Sequence, residues 1–229
     1  MGAHFVTGAG SGIGAAVAGL LAGRGERLWL LARSDAAATR LRERFPGSRT
    51  VVADLAVPGR LSEVLDGQGL PARIDSLVHV AGVAEYGMVG ETAAAVWAET
   101  VAVNLLAPAE LTRLLLPALR AAQGHVVFLN SGAGLHAPPG LSAYAASKFA
   151  LKALAEALRA EEHANRVRVT TVFPGEVDTP MQRRLHERFG LAYDPSVCLS
   201  AESVAAVVAT ALDHGEAGTL SDLMLRPGV

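Results

Sequence analysis

His4-Phe5-Val6-Thr7 is a short apolar run that empties into Gly8-Ala9-Gly10-Ser11-Gly12-Ile13-Gly14, and Ala15 to Arg24 continues as a helical pattern. Strand, glycine-rich turn and helix in direct succession open a nucleotide-binding fold. Glycine lets the backbone take otherwise costly angles and come close to a pyrophosphate, while the helix that follows points free N–H groups and the positive end of its dipole at the phosphates. The turn therefore reads as a phosphate cradle rather than as a merely flexible connection.

Working outward, Arg27 to Ala32 reads as a second buried strand, Ala36 to Phe45 as a helix and Arg49 to Ala53 as a third strand, which completes a βαβαβ half with parallel strands. Ile74 to Val80, Val126 to Leu129, Arg166 to Phe173 and Leu220 to Leu225 supply further strands, separated by helical patterns at Pro58–Leu65, Glu91–Ala122, Ser142–His163 and Ala201–His214. The expected architecture is α/β: a single Rossmann-type domain over residues 1–229, with a doubly wound parallel sheet of about seven strands and helices on both faces. Pro108 should break or kink the long helical stretch after it. Val177-Asp178-Thr179-Pro180 opens a helical stretch, Met181 to Leu199 shows no clean strand pattern, and the segment from about 177 to 199 is expected to be a mobile lid carrying substrate contacts.

The residue closing the second strand selects the cofactor, because a carboxylate there bonds a ribose 2′-OH whereas arginine accommodates a 2′-phosphate. Here that strand ends Leu31-Ala32-Arg33-Ser34. Arg33 can pair with phosphate or stack on adenine, and Ser34 can add a hydroxyl, so NADP(H) is favoured over NAD(H); Asp35 helps start the next helix. Asp54, in Ala53-Asp54-Leu55, either accepts from the adenine amine or caps Pro58–Leu65. Ala81-Gly82 would let the backbone approach the nicotinamide ribose. His79 reads as a satisfied core histidine. Asn104 intrudes on an apolar helical stripe, so it bonds neighbouring backbone or holds a water. Thr179, after Pro174-Gly175 and Val177, bonds carboxamide or phosphate or caps a helix.

Tyr144 and Lys148 stand four apart in Ser142-Ala143-Tyr144-Ala145-Ala146-Ser147-Lys148 and share one face of a helix that Ser142 can cap. An ammonium beside a phenol favours the phenolate, which brings proton exchange nearer neutral pH. Ser131 lies at the carboxyl end of a strand, where open α/β sheets bind ligands.

Composition excludes several alternatives. The 229 residues are 51% hydrophobic and 18% charged with a net charge of −2, which leaves no electrostatic footprint for nucleic acid or an anionic membrane. The Arg40–Arg44 and Gln182–Arg188 pieces read as solvated helix faces. The single cysteine, Cys198, reads as a small apolar filler and fits a reducing, cytoplasmic setting. Neither a signal segment nor an uninterrupted membrane-length apolar run stands out, and no His or Cys cluster suggests a metal.

Together these residues resemble the short-chain dehydrogenase/reductase family from His4 through about Leu225. The resemblance rests on Thr7-Gly8, Gly12-Ile13-Gly14, Asp54, Ala81-Gly82, Asn104, Ser131, Tyr144 with Lys148, and Pro174-Gly175 followed by Thr179, in the family's order. Two departures stand out: His79-Val80 where the family usually has two asparagines, and Ser11 where many NADP-using members carry a basic residue. The resemblance implies carbonyl–alcohol redox chemistry on a small molecule. Tyr144 would be the general acid or base, Ser131 would polarise the carbonyl, Lys148 would bond the nicotinamide ribose, and Asn104 would hold a relay water. The cofactor site would comprise Gly8, Ser11, Gly12, Ile13, Gly14, Arg33, Ser34, Asp54, Leu55, Ala81, Gly82, Tyr144, Lys148, Pro174, Gly175, Val177 and Thr179. Leu135, Pro138, Met181, Leu185 and Phe189 would line an apolar substrate pocket. A homodimer or homotetramer is expected through the helices at 91–122 and 142–163. The competing readings are an NAD-linked alcohol dehydrogenase and a non-catalytic NADP(H)-sensing regulator.

Overall fold

Strand alternation governs the build. The computed structural model describes residues 1–214 and 218–228, so 215–217 and 229 of the expected domain lie outside the described residues. Strands β1 (Ala3–Val6), β2 (Arg27–Ala32), β3 (Arg49–Val52), β4 (Ser76–His79), β5 (His125–Leu129), β6 (Arg168–Pro174) and β7 (Asp222–Leu225) form one sheet in the order β3-β2-β1-β4-β5-β6-β7. All six pairings are parallel, with Phe5 opposite Trp29 on one side and Leu77 on the other. β1 and β5 are buried along their whole length, as strands covered on both faces must be.

The helices are α1 (Gly12–Gly23), α2 (Asp35–Arg44), α3 (Leu61–Leu65), α4 (Ala94–Val101), α5 (Ala107–Ala122), α6 (Ser142–Glu161), α7 (Pro180–Phe189) and α8 (Ala201–Asp213). Successive side chains of a strand point to opposite faces, which sends Phe5, Trp29 and Val126 into one core and Val6, Leu30 and Val127 into the other. Leu65 of α3, Leu111 and Leu115 of α5 and Leu151 of α6 close the first core, whereas Leu21 of α1, Leu41 of α2 and Val208 of α8 close the second. This is the doubly wound Rossmann-type sheet that the sequence predicts. The strand order reverses between β1 and β4, and there the carboxyl ends of the strands leave the crevice in which such sheets bind ligands.

Two local expectations change, and one expected helix gains its bounds. The long helical stretch is disturbed before Pro108, not after it: Ala102–Leu106 forms a π-type turn between α4 and α5. A proline removes the bond to the carbonyl four residues back and crowds it, so the effect falls on the preceding turn and on the Asn104 carbonyl. The helical stretch expected to open at Val177–Pro180 is the regular helix α7, which takes in residues 181–189 of the expected lid. Thr179 caps it by accepting from the Gln182 N–H at 3.2 Å, Pro180 occupies its first position and Gly190 (φ 65°) ends it in the left-handed region. Ser142 is the first residue of α6 rather than its cap, and its buried hydroxyl has no partner among the described residues.

Candidate active site

The glycine turn between β1 and α1 is built around close backbone approach. Gly8 (φ 75°) and Gly12 (φ 51°) take left-handed angles, and a Cβ on Gly14 would overlap the Gly8 carbonyl. Gly10 has nothing within 4 Å of where a Cβ would stand, so the tip of the turn is open to the cleft. The N-terminus of α1 lacks a side-chain cap, and Ser11, at the cap position, leaves the first N–H groups of the helix to whatever enters. These features fit a dinucleotide pyrophosphate. Thr7, which the sequence reading used only as part of the motif, joins the turn to β4: its Oγ1 accepts from the Val80 and Ala81 N–H groups at 3.0 and 3.1 Å.

A cleft of about 720 Å³ runs along the carboxyl ends of the strands. The turn residues Gly8, Ser11, Gly12, Ile13 and Gly14 form its floor. Arg33, Asp54 and Leu55 lie on its walls, as do Ala81, Gly82, Pro174, Gly175, Val177 and Thr179. Ser131, Tyr144 and Lys148 line it as well. Two expected residues do not. Ser34 spends its hydroxyl capping α2, accepting from the Ala37 N–H at 3.3 Å. Asn104 is almost wholly buried (1% exposed) behind the wall. Asp54 accepts from the Ala56 N–H at 2.9 Å, so it closes its own turn and does not cap the helix from Pro58.

Ser131 stands two residues beyond the end of β5, and its Oγ accepts from the Ala133 N–H at 3.1 Å. Its side chain also lies near enough to the Tyr144 hydroxyl to favour the phenolate. The preceding residue, Asn130, sets this position: its Oδ1 accepts from the Ser131 N–H at 2.9 Å and its Nδ2 donates to the Lys148 carbonyl at 3.0 Å, which ties β5 to α6. Ser147 supplies a second tie, donating to the Tyr144 carbonyl (2.7 Å) and accepting from Asn104 Nδ2 (3.0 Å). The sequence reading assigned neither residue a role. Both are buried polar side chains directly beside a candidate catalytic residue, and that adjacency was the available signal.

The Lys148 ammonium donates to the Leu129 carbonyl at 2.9 Å and stands 5.7 Å from the centre of the Tyr144 ring. Burial lowers its pKa to about 8. Burial also raises the Tyr144 pKa, opposed by the nearby Ser131 side chain. The phenol in this structure is thus protonated, and the depression expected from a neighbouring ammonium does not dominate.

In place of the family's two asparagines, His79 is bonded to Thr112 Oγ1 at 3.0 Å and stacked on Phe128, with burial pushing its pKa down to about 3. The following loop is held by Thr7 and Asn104 instead. Asn104 accepts from the Val83 N–H and donates to the Val83 carbonyl, each at 2.8 Å.

At the far end of the cleft, α2 turns Ala37, Arg40, Leu41 and Arg44 inward, so the arginines expected on a solvated face are walls of the site. Arg184 of α7 also reaches the cleft. On the substrate side, only Met181 of the five expected apolar residues lines it. Leu185 is buried, Leu135 is exposed, and Phe189 packs on Tyr86 with ring centres 3.8 Å apart. Arg188 bonds Glu85 at 2.6 Å beside that contact, and Asp178 holds Arg183 and the Tyr193 hydroxyl. The segment after β6 is therefore latched across the loop that follows β4. Burial pushes the Cys198 thiol pKa up, in keeping with a filler.

Comparison with known proteins agrees with this geometry. The family model described as short chain dehydrogenase matches residues 3–189. Dehydrogenase/reductase SDR family member 7B from Bos taurus is 36% identical over 189 residues, which is 76% of this chain and 57% of that protein. Glycine betaine reductase from Emericella nidulans is 34% identical over 97% of this chain, which spans only 18% of that protein. SDR family member 11 from Bos taurus is 30% identical, with 97% of this chain and 94% of that protein covered. Among solved structures, an alcohol dehydrogenase from the archaeon Thermococcus sibiricus complexed with 5-hydroxy-NADP superposes with a TM-score of 0.82 at 26% identity, covering 99% of this chain and 97% of that one. A 4-hydroxyisoleucine dehydrogenase complexed with NADH shares the fold, with a TM-score of 0.86 at 22% identity over 100% and 98% of the two chains. By the extent of these matches and the order of its site residues, the chain belongs to the short-chain dehydrogenase/reductase family of oxidoreductases.

Proposed function

We propose that this protein is an NADP(H)-dependent oxidoreductase that interconverts a carbonyl and an alcohol on a small molecule, with Tyr144 as general acid and base. One observation carries the reading: Ser131, Tyr144 and Lys148 converge on the same cleft that a glycine phosphate cradle and Arg33 also line. The 5-hydroxy-NADP complex of the similar Thermococcus sibiricus alcohol dehydrogenase supports the cofactor choice, and the absence of an acid at the end of β2 agrees with it.

The bound cofactor supplies or accepts the hydride. The chain's residues handle position and the proton. The Ser131 and Tyr144 hydroxyls both donate toward the substrate oxygen, where negative charge develops as the carbonyl carbon is reduced. Burial keeps the phenol protonated, so Tyr144 Oη carries the proton that the substrate oxygen takes up in the reductive direction; in the oxidative direction it receives that proton back. Lys148 uses one N–H on Leu129 and has two more to offer to ribose hydroxyls, which fixes the cofactor relative to Tyr144. The proton lost from Tyr144 is replaced through water. Both N–H groups of the Asn104 side chain are committed to Val83 and Ser147, so its main-chain carbonyl, which Pro108 cannot serve as a donor, is the acceptor for a relay water.

The same reading takes the protein to be cytoplasmic and a homo-oligomer. Tyr144→Phe tests the chemistry. Oxidation of NADPH with a panel of ketones and aldehydes should fall by about 10²- to 10⁴-fold while NADPH binding is retained; unchanged turnover would sink the mechanism.

A further inference from the structure

Arginines of this chain differ in their partners. Arg24, Arg120 and Arg188 are each paired with a carboxylate, at 2.8, 2.6 and 2.6 Å. Arg33, Arg40 and Arg44 have no carboxylate partner within salt-bridge distance among the described residues, yet all three line the same cleft, which Arg184, equally without one, reaches separately from α7. Their common placement follows from helix geometry. Arg40 and Arg44 stand one turn apart, about 6 Å along the axis, on the stripe with Ala37 and Leu41 that faces the cleft. Arg33 enters from the end of β2, immediately before the cap of α2. Asp35 and Glu43, the acids nearest in sequence, both lie on α2 outside the wall, so neither carboxylate lines the cleft beside the group. The Arg44 guanidinium lies over the buried Phe45 ring, 5.3 Å from its centre, which limits where it swings. Three like charges gathered at one end of a cleft in a protein of net charge −2 repel one another unless an anion sits among them.

We infer that Arg40 and Arg44 complete, with Arg33, a three-arginine receptor for the 2′-phosphate of the cofactor's adenosine ribose, which makes residues two and three turns into α2 determinants of cofactor choice. This rests on the NADP(H) reading above and extends it to positions that the strand-end rule does not reach. The required ligand chemistry is a phosphomonoester dianion on a ribose: a guanidinium forks onto two phosphate oxygens, and an unphosphorylated ribose gives it nothing to grip.

Titration of the full chain with NADPH, NADH, 2′,5′-ADP and 5′-AMP, for wild type, Arg33→Ala, Arg40→Ala and Arg44→Ala, tests it. Alanine is the best helix former and both α2 positions are exposed, so the helix should survive, which circular dichroism checks. Arg40→Ala and Arg44→Ala should each weaken NADPH and 2′,5′-ADP by about tenfold and leave NADH and 5′-AMP within about twofold. Equal losses for phosphorylated and unphosphorylated ligands would reassign the arginines to stacking on adenine and overturn the proposal. Loss of 2′-phosphate selectivity in Arg33→Ala alone would overturn it too, while leaving the NADP(H) reading intact. Wild type that binds NADH and 5′-AMP as tightly as their phosphorylated counterparts would overturn both.

Discussion

Lys148 carries an electrostatic burden that its neighbours only partly relieve. Its ammonium is 4% exposed, and the partner shown for it is one carbonyl, that of Leu129. Burial lowers its pKa from 10.5 to about 8, which corresponds to about 3 kcal/mol of cost to keep the charge inside at neutral pH. The sign follows from proton binding. Between about pH 8 and 10.5 the unfolded chain holds this proton more firmly than the folded one does, so raising the pH through that window stabilises the fold. Lys148→Met removes this dependence. Urea midpoints at pH 7.5 and pH 10 should show wild type gaining up to about 3 kcal/mol relative to the variant; a difference that stays constant would show that the ammonium is solvated. At this scale the sequence was informative about identity and silent about state. The i, i+4 spacing of Tyr144 and Lys148 was visible, but that Lys148 would bond Leu129, nineteen residues away across a strand–helix contact, was not.

α7 shows how an element forms for local reasons and acts through distant ones. The cap Thr179, Pro180 at its first position and Gly190 at its end are all sequence signals, so its helical form was legible while its bounds were not. What α7 touches was not legible. Its end rests on the loop after β4 through Phe189 on Tyr86 and Arg188 on Glu85, over a hundred residues away. A Cβ on Gly140 (φ 77°) would run into the Tyr86 ring, so that ring is packed against the Gly140 backbone as well. The two halves of the latch differ in strength: an exposed ion pair contributes about 0–1 kcal/mol, while a packed aromatic pair adds about 0.5–1.5 kcal/mol beyond its buried area. Amide hydrogen exchange should therefore speed up in α7 by about tenfold or more for Phe189→Ala and by only a few-fold for Arg188→Ala. The reverse ranking would place the closure energy in the ion pair. The π-type turn at Ala102–Leu106 is the same lesson in another form, since Pro108 announced a disturbance but only the fold showed on which side of it Asn104 would sit.

At the scale of the molecule, the two cores are sealed by α3, α5 and α6 on one face and by α1, α2 and α8 on the other. The combined run Ala94–Ala122 is long and apolar enough by composition to cross a bilayer, yet its Leu111, Leu115 and Leu119 are buried against the sheet. Leu106 and Phe149 remain outside the cores, 48% and 44% exposed, in the two helical regions through which the family resemblance implies assembly. Burying one such side chain in a partner contributes about 1.5–3 kcal/mol. Light scattering is expected to find a dimer or tetramer for wild type, and Leu106→Asp with Phe149→Asp should shift it toward monomer; a monomeric wild type would refute the assembly. The double change lies outside the cleft, so circular dichroism should remain that of wild type.

The sequence by itself determined whatever depends on neighbours along the chain: the strand–glycine–helix cradle, the parallel α/β architecture implied by strands alternating with helices, and the spacing of Tyr144 and Lys148. These follow from backbone sterics, side-chain alternation and helical period, each acting over a few residues. Only the tertiary structure decided which face of α2 turns Arg40 and Arg44 into the cleft, that Asn104 spends its amide on Val83 and Ser147, and that Phe189 closes on Tyr86 instead of lining a pocket. The physical reason is common to all three. Each depends on the register with which an element packs against another far away in sequence, and that register is set by the burial of side chains across the whole sheet at once.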